Sequence, residues 1–305
     1  MFMNRIKILL IALATLAAAN AAAQDNARYR PFVLASINEA GLEQQAAATI
    51  AALEDAGFSV VGQHQPLDNS RVIVATSPEL LAIAARSERG GYAAAQRVSV
   101  TERDGKTEVT FVNPLYIQHA YRLGADLQPV LDRLGETLGR IEEFGSRKGL
   151  TARKLAKYHY MIGMQHFDDP SELGSFESHE AAVAAVEAGL ARHGDALTQV
   201  YRIDVPGTQQ TLIGVGMKAT GGNEDELDID EAHQLAIVDF EGYGKAAYFP
   251  YEILVRDGEV EALHMRFRMA VHFPDLSMMG EHGFTKLMAS PGATEKALEA
   301  LLRTE

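Results

Sequence analysis

Apolar residues recur along this chain with two periods, and the switch between them happens twice in the same order. Leu42 to Ala56 is alanine-rich, carries Ile50 and Leu53 on one helical face, and stops at Gly57. Val183 to Leu190 has the same character and ends on His193-Gly194. Each predicted helix is followed by two β-rich runs joined by a turn. In the first half these are Phe58 to Gln63 and Arg71 to Thr76, on either side of Pro66-Leu67-Asp68-Asn69. In the second they are Leu197 to Val205 and Thr211 to Met217, on either side of Pro206-Gly207. A hairpin comes next in both halves. Arg97 to Thr101 turns at Arg103-Asp104-Gly105 and returns through Glu108 to Val112; Tyr251 to Val255 turns at Arg256-Asp257-Gly258 and returns through Glu261 to Val271. Asp-Gly between β-rich runs is a strong hairpin signal.

Opening strands are predicted at Pro31 to Ser36 and Tyr158 to Phe167, and closing helices at Leu127 to Leu138 and Ala293 to Leu302. The expected fold is therefore α+β: two tandem domains, each strand, helix, four strands, helix, with an antiparallel sheet covered on one face by helices. Residues 24–140 form the first repeat, 141–156 a charged linker, and 157–305 the second repeat. The halves differ after their third strand, where the first has a short helical stretch, Pro78 to Arg86, and the second an acidic segment, Gly221 to Glu231. Edge-to-edge joining of the sheets would leave a cleft between the halves, a common place for a small-molecule site.

Three stretches of the first half carry a family resemblance. Ala56-Gly57-Phe58, the run Arg71-Val72-Ile73-Val74-Ala75-Thr76-Ser77-Pro78-Glu79-Leu80, and the strand pair ending Val112-Asn113-Pro114 resemble the domain-of-unknown-function 302 family. The second half resembles it in outline only and lacks the Asn-Pro. The resemblance implies a compact α+β domain loosely similar to half of the TATA-binding protein. It implies no established activity, so no functional residue is carried over.

The N-terminus changes the picture of where the protein works. Arg5 and Lys7 precede an apolar run from Ile8 to about Ala19, and Ala21-Ala22-Ala23 stand ahead of Gln24. A basic start, a short apolar middle and an A-x-A end are the parts of a secretory signal peptide. Residues 1–23 are read as that leader, which makes the mature protein periplasmic or secreted, with no membrane span after cleavage. The whole chain has 305 residues and a net charge of −13, and losing Arg5 and Lys7 makes it more acidic still. An acidic surface repels nucleic acid and anionic lipid. There is no cysteine, which excludes disulfides, thiolate nucleophiles and thiolate metal sites. With 47% apolar and 23% charged residues the chain is no disordered tail.

Candidate chemistry gathers late in the sequence. Read as a strand, Leu263 to Phe273 puts Leu263, Met265, Phe267, Met269, Val271 and Phe273 on one face. His264, Arg266, Arg268 and His272 then form a polar stripe on the other, and arginine forks with histidine donors suit a small anionic ligand. The same stripe could pair with the protein's own carboxylates between Glu224 and Glu231. His272, Met278, Met279 and His282 supply imidazole and thioether, ligands that suit copper, with haem as a related possibility. His119 and His272 fall at matching positions of the two halves and are the candidates for acid–base work. Tyr158, Tyr160, Tyr243, Tyr248, Phe249 and Tyr251 either line a ligand groove or sit half-buried in strands.

Other motifs carry less. Asp225, Asp228 and Asp230 miss the register of a calcium loop, so the acidic segment is expected to be solvated. Gly214-Val215-Gly216 lacks the following helix that a dinucleotide site needs. The expected role is an exported binding or accessory protein for a small anionic ligand or a partner protein. The alternatives are copper or haem handling and a histidine-based, hydrolase-type enzyme.

Overall fold

The computed structural model describes residues 26–221 and 224–303. The leader expected at residues 1–23 lies outside them. Two antiparallel sheets build the protein. The first half contributes β1 (Phe32–Asn38), β2 (Ser59–His64), β3 (Ser70–Thr76), β4 (Gln96–Arg103), β5 (Lys106–Val112) and β6 (Glu142–Phe144), in the order β2-β3-β4-β5-β1-β6. The second contributes β7 (Ser171–Ser175), β8 (Leu197–Val205), β9 (Gln210–Met217), β10 (Tyr251–Arg256) and β11 (Glu259–Ala262), in the order β7-β11-β10-β9-β8. Counted from each half's first strand, the two orders coincide, apart from the extra β6. The fold is α+β.

Both Arg-Asp-Gly triplets close two-residue hairpins, with Arg103 opposite Lys106 and Arg256 opposite Glu259. Asp104 and Asp257 take the left-handed conformation that such turns demand, and aspartate tolerates it better than most side chains.

Helix α1 (Leu42–Asp55) buries Ala46, Thr49 and Leu53, and it packs over β2, β3 and β4. Helix α2 (Pro78–Ala84) starts where the Ser77 hydroxyl accepts from the Leu80 amide, with Pro78 at a position that has no amide to satisfy. Helix α3 (Pro114–Ala120) follows β5 with Asn113 as its cap, and α4 (Gln128–Leu138) lies beside α1. In the second half α5 (Ala152–Leu155) precedes β7, and α6 (His179–Arg192) covers β8, β10 and β11 under a Ser178 cap. Short α7 (Glu224–Leu227) and then α8 (Glu231–Val238) follow β9; α9 (Met265–His272) and α10 (Ser290–Ala300) follow β11.

Several expectations need correcting. Leu263 to Phe273 is not a strand: β11 stops at Ala262 and α9 begins at Met265. All but Arg266 of that helix is buried, so it shows no polar stripe to betray its 3.6-residue period. Tyr158 to Phe167 is a loop, and the opening strand of the second half is β7. The acidic segment is partly helical, and its Glu231 is buried at 2% exposure. Residues 141–156, read as the linker, include β6, which pairs with β1.

Helices cover one face of each sheet, but the opposite faces are not bare. The turn Ala246–Tyr248 of the second half packs on β3, β4 and β5. Reciprocally, the turn Gly90–Ala93 of the first half packs on β9 and β10. Strands β2 and β8 also meet. A Cβ on Gly62 of β2 would collide with the Val200 carbonyl oxygen of β8, and one on Gly216 of β9 would meet the His64 ring. Each half thus grips the other's sheet, and the glycines permit the close approach.

Gly62→Ala is expected to destabilise the protein by about 1–3 kcal/mol, since the clash is with main chain that cannot rotate away. Gly292→Ala, where a Cβ meets nothing within 4 Å, serves as the control and is expected to be neutral or slightly stabilising. Urea unfolding of both variants checks this.

Candidate functional site

The inner site of the molecule lies where the halves grip. Arg97 of β4 is 3% exposed, and its Nη1 donates to Glu252 Oε1 of β10 at 2.5 Å while its Nε donates to the Ala247 carbonyl at 2.9 Å. The Tyr201 hydroxyl of β8 donates to the same carboxylate oxygen at 2.7 Å. Arg268 of α9 is wholly buried; its Nη2 donates to the carbonyls of Tyr248 and Pro250 at 2.6 and 2.7 Å and lies 3.7 Å from Glu252 Oε2. Its guanidinium sits 4.3 Å from the Tyr248 ring centroid and 4.7 Å from that of Tyr251. Two guanidinium groups therefore share one carboxylate in the dry interior. Each of the three charges makes two hydrogen bonds, which offset part of the cost of burial, while Arg268 Nε and Nη1 and Glu252 Oε2 have no hydrogen-bond partner among the described residues.

Next to it, His272 donates through Nδ1 to the Arg268 carbonyl at 2.8 Å, and its Nε2 has no partner. Burial drives its pKa well below the ordinary histidine value, and the charges of Arg268 and Arg97 push the same way. Burial raises the Tyr121 hydroxyl to about 12. A second link across the halves joins His64 of β2 to Glu231 at the start of α8, and burial raises the Glu231 carboxyl despite the imidazole beside it.

The outer site is a crevice of about 450 Å³ at the seam. β6 and the residues after it form one wall; the turn from Val238 to Lys245, with Phe273 to Leu276, forms the other. Phe144 and Tyr243 meet edge to face at 5.3 Å, and Phe144 backs onto Phe32 at 5.6 Å. Phe32 in turn touches His272 and Phe273, so the crevice floor continues into the buried layer. Phe240 is 48% exposed and stacks on His282 at 4.2 Å.

The charges around this crevice are mostly spoken for. Lys245 pairs with Asp239 at 3.1 Å, and Arg30 donates to the carbonyls of Ser146 and Arg147. Glu142 accepts from Tyr243, and Glu143 pairs with Arg140. The side chains of Arg147 and Glu241 have no hydrogen-bond partner among the described residues. The lining carries four carboxylates, Glu142, Glu143, Glu241 and Asp275, against three cations, Arg30, Arg147 and Lys245.

The residues expected from sequence are scattered by this arrangement. His264, Arg266, Arg268 and His272 form no open anion stripe. His264 caps α9, its Nδ1 accepting from the Arg266 amide at 3.1 Å; Arg266 is half-buried; Arg268 and His272 are sealed inside. The helical turn puts Arg268 and His272 on one face, four residues apart, and that face points into the core. The proposed pairing with protein carboxylates holds for Arg268, though its partner is Glu252 rather than the acidic segment. His272, Met278, Met279 and His282 do not converge either: His272 is buried, Met279 is 76% exposed, and His282 stacks on Phe240. Among the described residues no three His, Asp or Glu side chains gather to hold a metal. His119 lies against Tyr29 at 4.7 Å with the rings tilted by 51°, and it falls in the last turn of α3 as His272 does in that of α9.

Of the six aromatic candidates, Tyr243 lines the crevice, whereas Tyr248, Phe249 and Tyr251 are core. Phe144, Phe240 and the Arg97–Glu252 pair were not singled out in sequence, because single charges on apolar strands look like ordinary edge residues. No family model, curated protein or solved structure matches the chain.

Below about pH 6.5 the unfolded chain takes up a proton at position 272 that the folded chain refuses. Stability is expected to fall as pH drops through that range, by up to ~1.4 kcal/mol per pH unit for this group. Burial lowers His119 and His264 likewise, so they add to the slope. His272→Gln keeps an amide donor to Arg268 and is expected to shallow the slope between about pH 6.5 and 5. Tyr201→Phe removes a bond to a buried carboxylate and is expected to cost about 1.5–3 kcal/mol at neutral pH. Denaturant titrations across pH check both.

Proposed function

We propose that this chain is an exported binding protein whose ligand lodges in the crevice between its halves. The observation that carries the reading is the crevice itself: aromatic walls, a floor continuous with the core, and a mouth where Glu241 is uncommitted and carboxylates predominate. Aromatic faces and carboxylates together recognise an organic ammonium group attached to an apolar body, because the ring quadrupole and the negative rim attract the same charge. Arg147 at the rim is the one free cation there among the described residues, and it suits a carboxylate on the same ligand. The small anionic ligand expected from sequence loses its support, since Arg268 and His272 are enclosed. Of the two histidines expected for acid–base work, His272 is sealed in the core and half-buried His119 packs on Tyr29, so binding is favoured over catalysis.

The matching strand orders support a further part of the proposal, that one α+β unit was used twice in tandem. The leader at residues 1–23 supports export, and mass spectrometry of the secreted product is expected to place the mature N-terminus at Gln24.

Calorimetry with phenethylammonium, choline and benzoate tests the ligand chemistry. The two ammonium ions are expected to bind saturably, and Phe240→Ala with Glu241→Gln to weaken them roughly tenfold without lowering the melting temperature. Binding of benzoate alone would restore the anionic ligand. Heat from none of the three would remove the crevice as the binding site.

A further inference from the structure

Between α5 and β7 the chain crosses a loop that carries four soft or imidazole ligands in a short space: His159, Met161, Met164 and His166. The loop is held from both sides. The Tyr158 hydroxyl donates to the Ala270 carbonyl at 2.9 Å, Tyr160 lies 5.8 Å from Phe284, and Asp168 pairs with Arg122 at 2.9 Å. Gly163, at φ 84°, turns the tip back, and the Met164 amide donates to the Met161 carbonyl at 3.0 Å. The turn brings the rings of His159 and His166 to 4.5 Å between centroids, inclined at 44°. Neither ring bonds to the other. Met161 is 46% exposed and Met164 is partly exposed, so neither thioether serves as filling for the core.

We propose that this loop binds one copper(I) ion through His159, His166 and the thioethers of Met161 and Met164. A ligating imidazole places its centroid about 3 Å from the metal, so two rings at this separation subtend an angle of roughly 90° at a shared ion, open enough for four-coordination. His159 Nδ1 donates to the Met161 carbonyl at 2.9 Å, which fixes the ring and leaves Nε2 with its lone pair. A backbone acceptor on the far nitrogen is the usual support of a ligating histidine. The ligand type selects the metal. Thioethers favour copper(I) over zinc or calcium, and the adjacent carboxylates are already engaged, Asp168 by Arg122 and Asp169 by the His166 amide. This set differs from the His272, Met278, Met279 and His282 group, which the fold disperses.

Anaerobic titration of copper(I) into the whole chain, in competition with bicinchoninate, tests the site. One ion per chain is expected. His159→Ala with His166→Ala is expected to weaken binding about 100-fold or more. Met161→Leu with Met164→Leu is expected to weaken copper(I) while leaving the weaker uptake of zinc by the imidazole pair in place. Unchanged circular dichroism and melting temperature of the apo-variants separate loss of ligands from loss of fold, because every substituted side chain is partly or largely exposed. X-ray absorption at the copper edge is expected to report both sulfur and nitrogen neighbours. The proposal fails if the intact chain takes up no stoichiometric copper(I), or if binding survives the histidine pair. It also fails if binding is lost instead in Met278→Leu, Met279→Leu with His282→Ala.

Discussion

A single carboxylate, Glu252, stands between two buried guanidinium groups that come from different parts of the chain. Arg97 arrives on β4 of the first sheet and Arg268 on α9 of the second half, and Glu252 lies on β10 between them. Moving three charges out of water costs several kcal/mol per ion, and their mutual attraction offsets that only when the geometry is held. The geometry is held by main chain: Ala247, Tyr248 and Pro250 supply the carbonyls, and they belong to the segment that crosses onto the first sheet. The arrangement of the two halves and the integrity of this cluster are therefore one constraint. Removing one partner strands a charge in the interior, and that loss is felt by both halves.

From that constraint follow the features a ligand or metal would meet. The crevice exists because β6 and the turn from Val238 to Lys245 approach each other at the seam; of its lining, Phe144 packs on Phe32 and Phe273 on Tyr248, whose ring also meets Arg268. The His159–His166 loop is tethered through Tyr158 to Ala270 of α9, the helix that carries Arg268. The loop is thus tied to the helix that carries Arg268, and the crevice wall at Phe273 directly follows that helix.

Much of the architecture was legible in the sequence. Glycine stops, Asp-Gly turns and alternating strands gave the first long helix and the strands up to the Arg-Asp-Gly hairpin of both halves, since those signals are local, whereas the second opening strand and the helices that directly follow β5, β9 and β11 were not read. What failed was read from a pattern that burial erases. Leu263 to Phe273 alternates apolar and polar residues, but Arg268 and His272 are inward-facing polar residues on a helix, so the alternation carried no information about exposure. Charge pairing across the seam was illegible for another reason. Arg97 and Glu252 are 155 residues apart, and only the completed fold brings them within 2.5 Å. The late histidines and methionines look like a cluster because they are close along the chain, whereas His159 and His166 meet through a turn inside a stretch, Tyr158 to Phe167, whose composition suggests a straight strand.

Hydrogen exchange of the whole chain beside its Glu252→Gln variant, followed by mass spectrometry, measures whether the two sheets stand or fall together. If the buried cluster binds the halves into one body, the amides of β3 and β4 lose protection in step with those of β9 and β10, although the substitution lies in the second sheet. Protection lost from β9 and β10 alone, with the first sheet opening at its original free energy, would contradict the account.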